Sequence, residues 1–289
     1  MNHRRTAALA AGALVVLAAV VALVPVPYVA FSPGPTADVL ASVDGDAVIE
    51  VDGARTFDTP GQLDLTTVSV TPASARLGLA EAMTAWVDPD RAVIPREAVY
   101  PEGTSAEEVE QVNAALWTGS QDAASAAALR LLGYEVVEEQ RAVVSRVLPD
   151  SPAEGLLFVG DIILSVDGEP VSGSADVVTA VSSTTPGDDV AFRVERDGER
   201  TGVEVTTVAG GEAGTAAVRV GVSDAVIGYE SDVAVTINGP GDIGGSSAGL
   251  VFALGIVDRM SPEELLAGRH VAGTGEIDPD GRVGRISGI

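Results

Sequence analysis

The residues most able to do chemistry in this chain are Ser246 and Ser247, set in the run Gly244-Gly245-Ser246-Ser247-Ala248-Gly249-Leu250. A strand-like stretch over residues 232–237 and a Gly/Pro loop precede them, and an apolar run to Met260 follows. That places a hydroxyl at the opening of a helix. Small neighbours leave room for a substrate carbonyl, and the unpaired N–H groups of a first helical turn stabilise an oxyanion. Of the two serines, Ser247 has the register of a nucleophile, since it stands directly before Ala248-Gly249. The plain alternative is a glycine-rich turn capped by serine.

A serine nucleophile needs a base, and composition limits the choice. All seventeen basic residues are arginine, the two histidines are His3 and His270, and cysteine is absent. Arginine stays protonated in proteins and cannot take the proton. His3 lies in the N-terminal tail, and nothing in the spacing of His270 to Ser247 points to a triad. A thiol mechanism is excluded, and no metal site or cofactor is implied.

Downstream lie Thr274-Gly275-Glu276-Ile277, then Asp278-Pro279-Asp280-Gly281-Arg282-Val283-Gly284, then Ile286-Ser287-Gly288-Ile289. Together with the Ser247 run these residues resemble the proteolytic domain of Lon-type serine peptidases. The resemblance implies a Ser–Lys dyad with Ser247 as nucleophile and Thr274 supporting the lysine. The family's lysine would fall on the third residue past Ile289, so the 289 residues by themselves are expected to be inert. Ser246 stands where the family has proline. Arg285-Ile286-Ser287-Gly288-Ile289 stands where it has a Pro-Ile-Gly-Gly-Ile pattern. No GxxxxGK[ST] phosphate loop is present, so no ATPase motor is expected.

The elements that must position these residues are legible in part. After Met1-Asn2-His3-Arg4-Arg5, residues 6–24 carry no charge and are mostly Ala, Leu and Val. As a helix they span roughly 28 Å, the thickness of a hydrocarbon core. The expectation is an uncleaved transmembrane anchor with residues 1–5 cytoplasmic and the body exported. Residues 25–132 read as a mixed α/β connecting platform without chemistry of its own. Within it a helix is expected near 77–86, and Ser105-Ala106-Glu107-Glu108 is a capping box opening another. An alanine-rich helix is expected over 121–132.

Residues 133–208 read as a module. Ala142-Val143-Val144-Ser145-Arg146-Val147 alternates as a strand, Gly160-Asp161-Ile162-Ile163 opens another, and a helix follows near 175–181. A hairpin turns at Asp197-Gly198. This order resembles a PDZ domain of the bacterial protease type. The resemblance implies capture of an extended peptide along a sheet edge beside a helix, with the peptide carboxylate meeting Leu132-Gly133-Tyr134. Residues 209–289 are assigned to an incomplete Lon-type domain, with strands at 218–222 and 233–237, a buried helix over 250–257 and a second capping box at Ser261-Pro262-Glu263-Glu264.

The expected fold class is thus α+β: transmembrane helix, platform, PDZ domain and partial proteolytic domain. The order resembles membrane-tethered, PDZ-containing Lon-type peptidases of the YlbL-like kind. Partners are protein or peptide substrates and the membrane, with self-association left open. The net charge of −25 argues against nucleic acid. The competing function is a PDZ adaptor with a dead peptidase domain. A trypsin-like PDZ protease lacks the histidine and the β-barrels it would need.

Overall fold

The computed structural model describes residues 3–43, 45–58, 60–196, 198–210, 214–239 and 243–286. They form two compact units: Met1–Glu135 together with Asp232–Ile289, and Val136–Ser231. The first unit is therefore begun, interrupted by the second, and completed afterwards.

The N-terminal apolar stretch forms helix α1 (His3–Leu23), which also takes in Arg4 and Arg5. Among the described residues, however, no helix is long and apolar enough to cross a membrane. This overturns the expected transmembrane helix over 6–24. The signals were freedom from charge, a mostly Ala, Leu and Val composition and a length of roughly 28 Å; eight of the nineteen residues are alanine, which brings less apolar area than Leu or Val. Pro25 stops the helix, having no N–H to continue the ladder. The chain enters β1 (Pro25–Val26), β2 (Tyr28–Asp38), the small ladder of β3 (Ser42–Val43) and β4 (Asp46–Ala47), and β5 (Ile49–Asp52). Then come β6 (Gln62–Val70), β7 (Leu77–Gly78), helix α2 (Leu79–Val87), β8 (Ala92–Pro95) and the single turn α3 (Arg96–Val99). Strand β1 pairs with β7, while β2 pairs with both β6 and β8. Ala82 and Ala85 of α2 pack on Ala30 and Leu77.

Helix α4 (Ala106–Leu131) fuses what the sequence reads as two helices. Gly119 lies in the middle, and a single interior glycine costs about 1 kcal/mol against alanine, too little to break a helix this long. The capping box forms: Ser105 Oγ accepts from Glu108 N at 3.1 Å and Glu108 Oε2 accepts from Ser105 N at 2.7 Å.

The second unit holds β9 (Val137–Val147), β10 (Ile162–Val166), β11 (Glu169–Pro170) and helix α5 (Ser174–Ser182). It continues with β12 (Asp189–Arg196), β13 (Glu199–Thr206), β14 (Val208–Ala209), β15 (Ala216–Ala217) and β16 (Val220–Glu230). The main sheet runs β13-β12-β10-β9-β16. Val190, Phe192 and Val194 alternate inward on β12 and meet Val144, Ile163, Val177 and Val181. Val177 and Val181, four apart on α5, are the stripe that seats this helix on the sheet. Asp161 is 1% exposed, and Arg196 grips it with Nε and a terminal nitrogen, each at 2.7 Å.

The return to the first unit gives β17 (Ala234–Ile237), helix α6 (Gly249–Met260) and β18 (His270–Gly273). Strand β17 pairs antiparallel with β5, and β18 pairs parallel with β6. Sheets begun near residue 28 are thus finished after residue 230. Helix α6 buries Val251, Phe252, Ile256, Val257 and Met260. A Cβ at Gly255 would stand 2.7 Å from Ile49 Cδ1 and 3.1 Å from Val39 Cγ2, so these side chains pack into the space the glycine leaves on α6. Trp117 of α4 meets Phe252 edge to face at 5.5 Å.

The helix expected from Ser261-Pro262-Glu263-Glu264 does not form; the backbone bends there and turns. Asp258 Oδ1 instead accepts from Leu265 N at 2.8 Å, and Ala267 and Gly268 adopt positive φ. Too few residues separate α6 from β18 to repay helix nucleation.

Candidate functional site

The Ser247 loop is built by contacts from two directions. On the α4 side, Gly245 N donates to Asn113 O at 3.1 Å, and Ser120 Oγ donates to Ser246 O at 3.2 Å. Gly245 turns with φ 96°, open to glycine and costly for other residues. A Cβ at Gly249 would stand 3.0 Å from Ser120 Oγ, so the loop lies flat on the helix. On the β18 side, Ser247 O accepts from Thr274 Oγ1 and from Gly275 N, both at 2.7 Å. Gly275 O in turn accepts from Leu250 N at 3.0 Å. A Cβ on Gly275 would meet Leu250 Cδ2 at 2.6 Å, so only glycine permits this approach.

Ser247 is consequently a fixed backbone carrying an exposed hydroxyl, two residues before the first residue of α6. Its hydroxyl has no hydrogen-bond partner among the described residues. The structure brings Thr274 to Ser247, and the threonine hydroxyl is spent on the serine's own carbonyl. Ser246 is held by its carbonyl against α4. Ser287, Gly288 and Ile289 lie outside the described residues.

His270 goes elsewhere. Its Nε2 meets Asp64 Oδ2 at 2.5 Å, and Gln62 Nε2 donates to Asp64 Oδ1 at 2.9 Å. The bond from His270, followed by that from Gln62, holds the Asp64 carboxyl below its ordinary range. His270 opens β18 and Thr274 follows its last residue, roughly 13 Å away along an extended chain. Glu276 sits against Gly284, whose N–H donates to Glu276 O at 3.0 Å.

The loop Leu132-Gly133-Tyr134 closes α4. Leu132 N donates to Ala128 O, Gly133 N to Arg130 O and Tyr134 N to Leu129 O, at 3.0, 3.1 and 3.0 Å. With Gly133 at φ 86° this is a Schellman end, and all three N–H groups are committed to helix carbonyls. They are not free to receive a carboxylate.

A different edge has the form that strand addition needs. In the main sheet of the second unit β16 is an outer strand, antiparallel to β9 from Val220↔Val147 to Glu230↔Val137. Helix α5 stands beside it: Asp224 Oδ1 accepts from Ser174 N at 2.6 Å and Oδ2 from Ser174 Oγ at 3.1 Å. Val178 of α5 is 61% exposed. The turn into β16 carries Arg219 at φ 58°, its carbonyl accepting from Leu148 N at 3.3 Å. Its exposed guanidinium has no partner among the described residues. The sequence reading gave 218–222 to the proteolytic segment; pairing with β9 assigns that strand to the second unit. Arg219, Val178 and Asp224 were missed because nothing local says that a strand this late in the chain completes an earlier sheet.

Residues 131–207 match the PDZ domain family, and the chain carries a PDZ domain there; β16 lies outside the matched residues. The chain is 46% identical over 66 residues to a protein named probable periplasmic serine endoprotease DegP-like from Ectopseudomonas mendocina, covering 22% of this chain and 14% of that protein. A protein of the same name from Pseudomonas fulva is 36% identical over 112 residues, covering 34% and 23%. The chain thus spans less than a quarter of the length of these relatives. Among solved structures, the PDZ domain of the SdrC-like protein from Listeria monocytogenes is 23% identical, covering 30% of this chain and 92% of that one, with a TM-score of 0.28.

Proposed function

We propose that this chain is an extracytoplasmic serine endopeptidase of the Lon type, in which the PDZ domain captures polypeptide and Ser247 is the nucleophile. The observation that carries the reading is the Ser247 backbone pinned by Thr274 and Gly275, with its hydroxyl exposed ahead of the buried helix α6. In the first turn of α6 Leu250 N is spent on Gly275 O, and Val251 N and Phe252 N on Ala248 O, so the N–H groups of Ala248 and Gly249, directly after Ser247, are the ones to meet the developing oxyanion. Similarity to proteins named periplasmic serine endoproteases supports both the reaction class and the location. Peptide capture follows the edge of β16: backbone pairing along the strand, a terminal side chain against Val178, and the terminal carboxylate on Arg219.

In the reaction Ser247 Oγ attacks the scissile carbonyl while a base takes its proton; the C–N bond then breaks as the base gives that proton to the leaving amine, and water hydrolyses the acyl-enzyme to free the new carboxyl end and Ser247. In the Lon type that base is a neutral lysine, and the 289 residues contain no lysine. His270 is tied to Asp64 and cannot serve. The PDZ domain at residues 131–207 favours one second reading, a PDZ adaptor that binds peptides without cutting them.

Peptide hydrolysis and labelling by a fluorophosphonate, measured on the protein isolated from its own source, decide between the two. Ser247→Ala is expected to abolish both and to leave the fold intact, while Ser246→Ala retains them. Hydrolysis that survives Ser247→Ala overturns the nucleophile assignment. Tight peptide binding without any hydrolysis or labelling establishes the adaptor.

A further inference from the structure

Val222 and Asp224 of β16 stand opposite Val144 and Ala142 of β9, and both partners are buried in the core of the second unit. Residues directly opposite on paired strands share a face, so Val222 and Asp224 lie on the side where α5 packs. Val220, packed against the same core, begins this row. Two bonds from Ser174, its N–H at 2.6 Å and its hydroxyl at 3.1 Å, hold the Asp224 carboxylate at the start of α5. A carboxylate has about four acceptor sites, and Asp224 is exposed, so it has room for a further donor. Among the described residues no cation pairs with it. Arg141, opposite Ala225, lies on the other face and pairs with Glu139 at 2.6 Å. The second carboxylate at the start of α5, Asp176, is also exposed and accepts from Ser172 N at 2.9 Å. The row therefore has opposite charges at its two ends, Arg219 before Val220 and Asp224 after Val222.

We propose that Asp224 selects polypeptides with a lysine or arginine as the fifth residue from the C-terminus. The proposal rests on the reading of β16 as the strand that captures peptide, and it gives that site a sequence preference. Register supplies the position, because in an antiparallel ladder one strand counts down as the other counts up. With the terminal carboxylate on Arg219 and the terminal residue opposite Val220, the third residue from the end meets Val222 and the fifth meets Asp224. Side chains alternate, so the fifth shares the α5 side with the terminal one, while the second and fourth point away. A basic side chain there adds a charge-assisted bond to a carboxylate that α5 already holds in place. An acidic one meets like charge. Asp224 is a specificity residue and takes no part in hydrolysis.

The test is isothermal titration of the full chain carrying Ser247→Ala, so that no peptide is cut. The probes are N-acetylated peptides of alanine, serine and threonine that end in valine with a free carboxylate. One has lysine fifth from the end, one has lysine fourth from the end, and one has glutamate fifth from the end. The two lysine peptides have the same charge, so attraction to the whole acidic protein, −25 in formal charge, acts on both alike. Lysine at the fifth position is expected to bind about threefold tighter than lysine at the fourth, the size of an exposed ion pair, and about tenfold tighter than glutamate. Asp224→Asn keeps an oxygen for Ser174 and should erase the threefold difference. Ser174→Ala leaves the charge in place and should keep it. Equal binding of the two lysine peptides, or a preference that survives Asp224→Asn, overturns this proposal and leaves capture at β16 standing. Failure of all three peptides to bind, or binding unchanged when their termini are amidated, overturns capture at β16 and this proposal with it.

Discussion

Replacing Arg219 with asparagine isolates the contribution of its guanidinium to peptide capture. Arg219 sits at φ 58° in the turn before β16, a conformation that asparagine tolerates better than other residues with a Cβ. The fixed structural bond of this position is made by its carbonyl, from Leu148 N at 3.3 Å, and every residue supplies that. The variant should therefore keep the β16–β9 ladder and its unfolding midpoint within about 0.5 kcal/mol. A hydrogen bond from a charged group contributes about 1.5–3 kcal/mol, and exposure of this arginine argues for the low end. Peptides with a free C-terminus should then bind about tenfold more weakly to the variant. Their amidated counterparts should bind the unaltered chain and the variant alike. Isothermal titration with the two peptides, at low and at moderate salt, measures the difference, which should shrink as salt rises. Equal binding of free and amidated peptides by the unaltered chain would show that the carboxylate is not received at this turn.

Thr274→Val removes the hydroxyl bonded to Ser247 O while keeping the shape of the side chain, and should cost about 1 kcal/mol in urea unfolding; fluorophosphonate labelling at Ser247 should slow with it. Arg196→Met leaves the carboxylate of Asp161 buried with only the Phe158 N–H as a partner. The second unit should lose about 3 kcal/mol, read from its thermal midpoint. For Asp64 the folded carboxyl titrates below its unfolded value, because His270 and Gln62 hydrogen-bond to the charged form. That stabilisation is complete above the unfolded pKa and is lost as pH falls through the folded one. Urea midpoints followed from pH 6 to pH 2 should show the fall in the unaltered chain and a smaller one in Asp64→Asn.

What was legible in the sequence was local. The capping box at Ser105 and Glu108, the alternating strand at Ala142–Val147, the hairpin of β12 and β13, and the apolar face of α6 are patterns with short periods. Each was correctly read as an element. Errors arose where length or isolation stood in for energy. Residues 6–24 were read from their length, lack of charge and Ala, Leu and Val composition, and the Ser261 capping box was read without the turn that Ala267 and Gly268 impose. Leu132-Gly133-Tyr134 was read as a ligand loop although its amides were needed to close α4.

The sequence by itself determined the chemical inventory: one serine run flanked by glycines, no thiol and no lysine, and a module of PDZ pattern. It also determined most helices and strands, because dihedral preference and apolar period act over a few residues. Only the tertiary structure decided that β16 completes the sheet of β9 and that β17 and β18 return to β5 and β6. It also decided that Thr274 and Gly275 close on the carbonyl of Ser247. Those pairings join residues far apart in the chain, and the packing beside them depends on room for a side chain from elsewhere, as for Ile49 at Gly255 and Leu250 at Gly275. Strand partners and close approaches of this kind leave no periodic trace along the chain, since the energy that selects them appears only once both partners are in place.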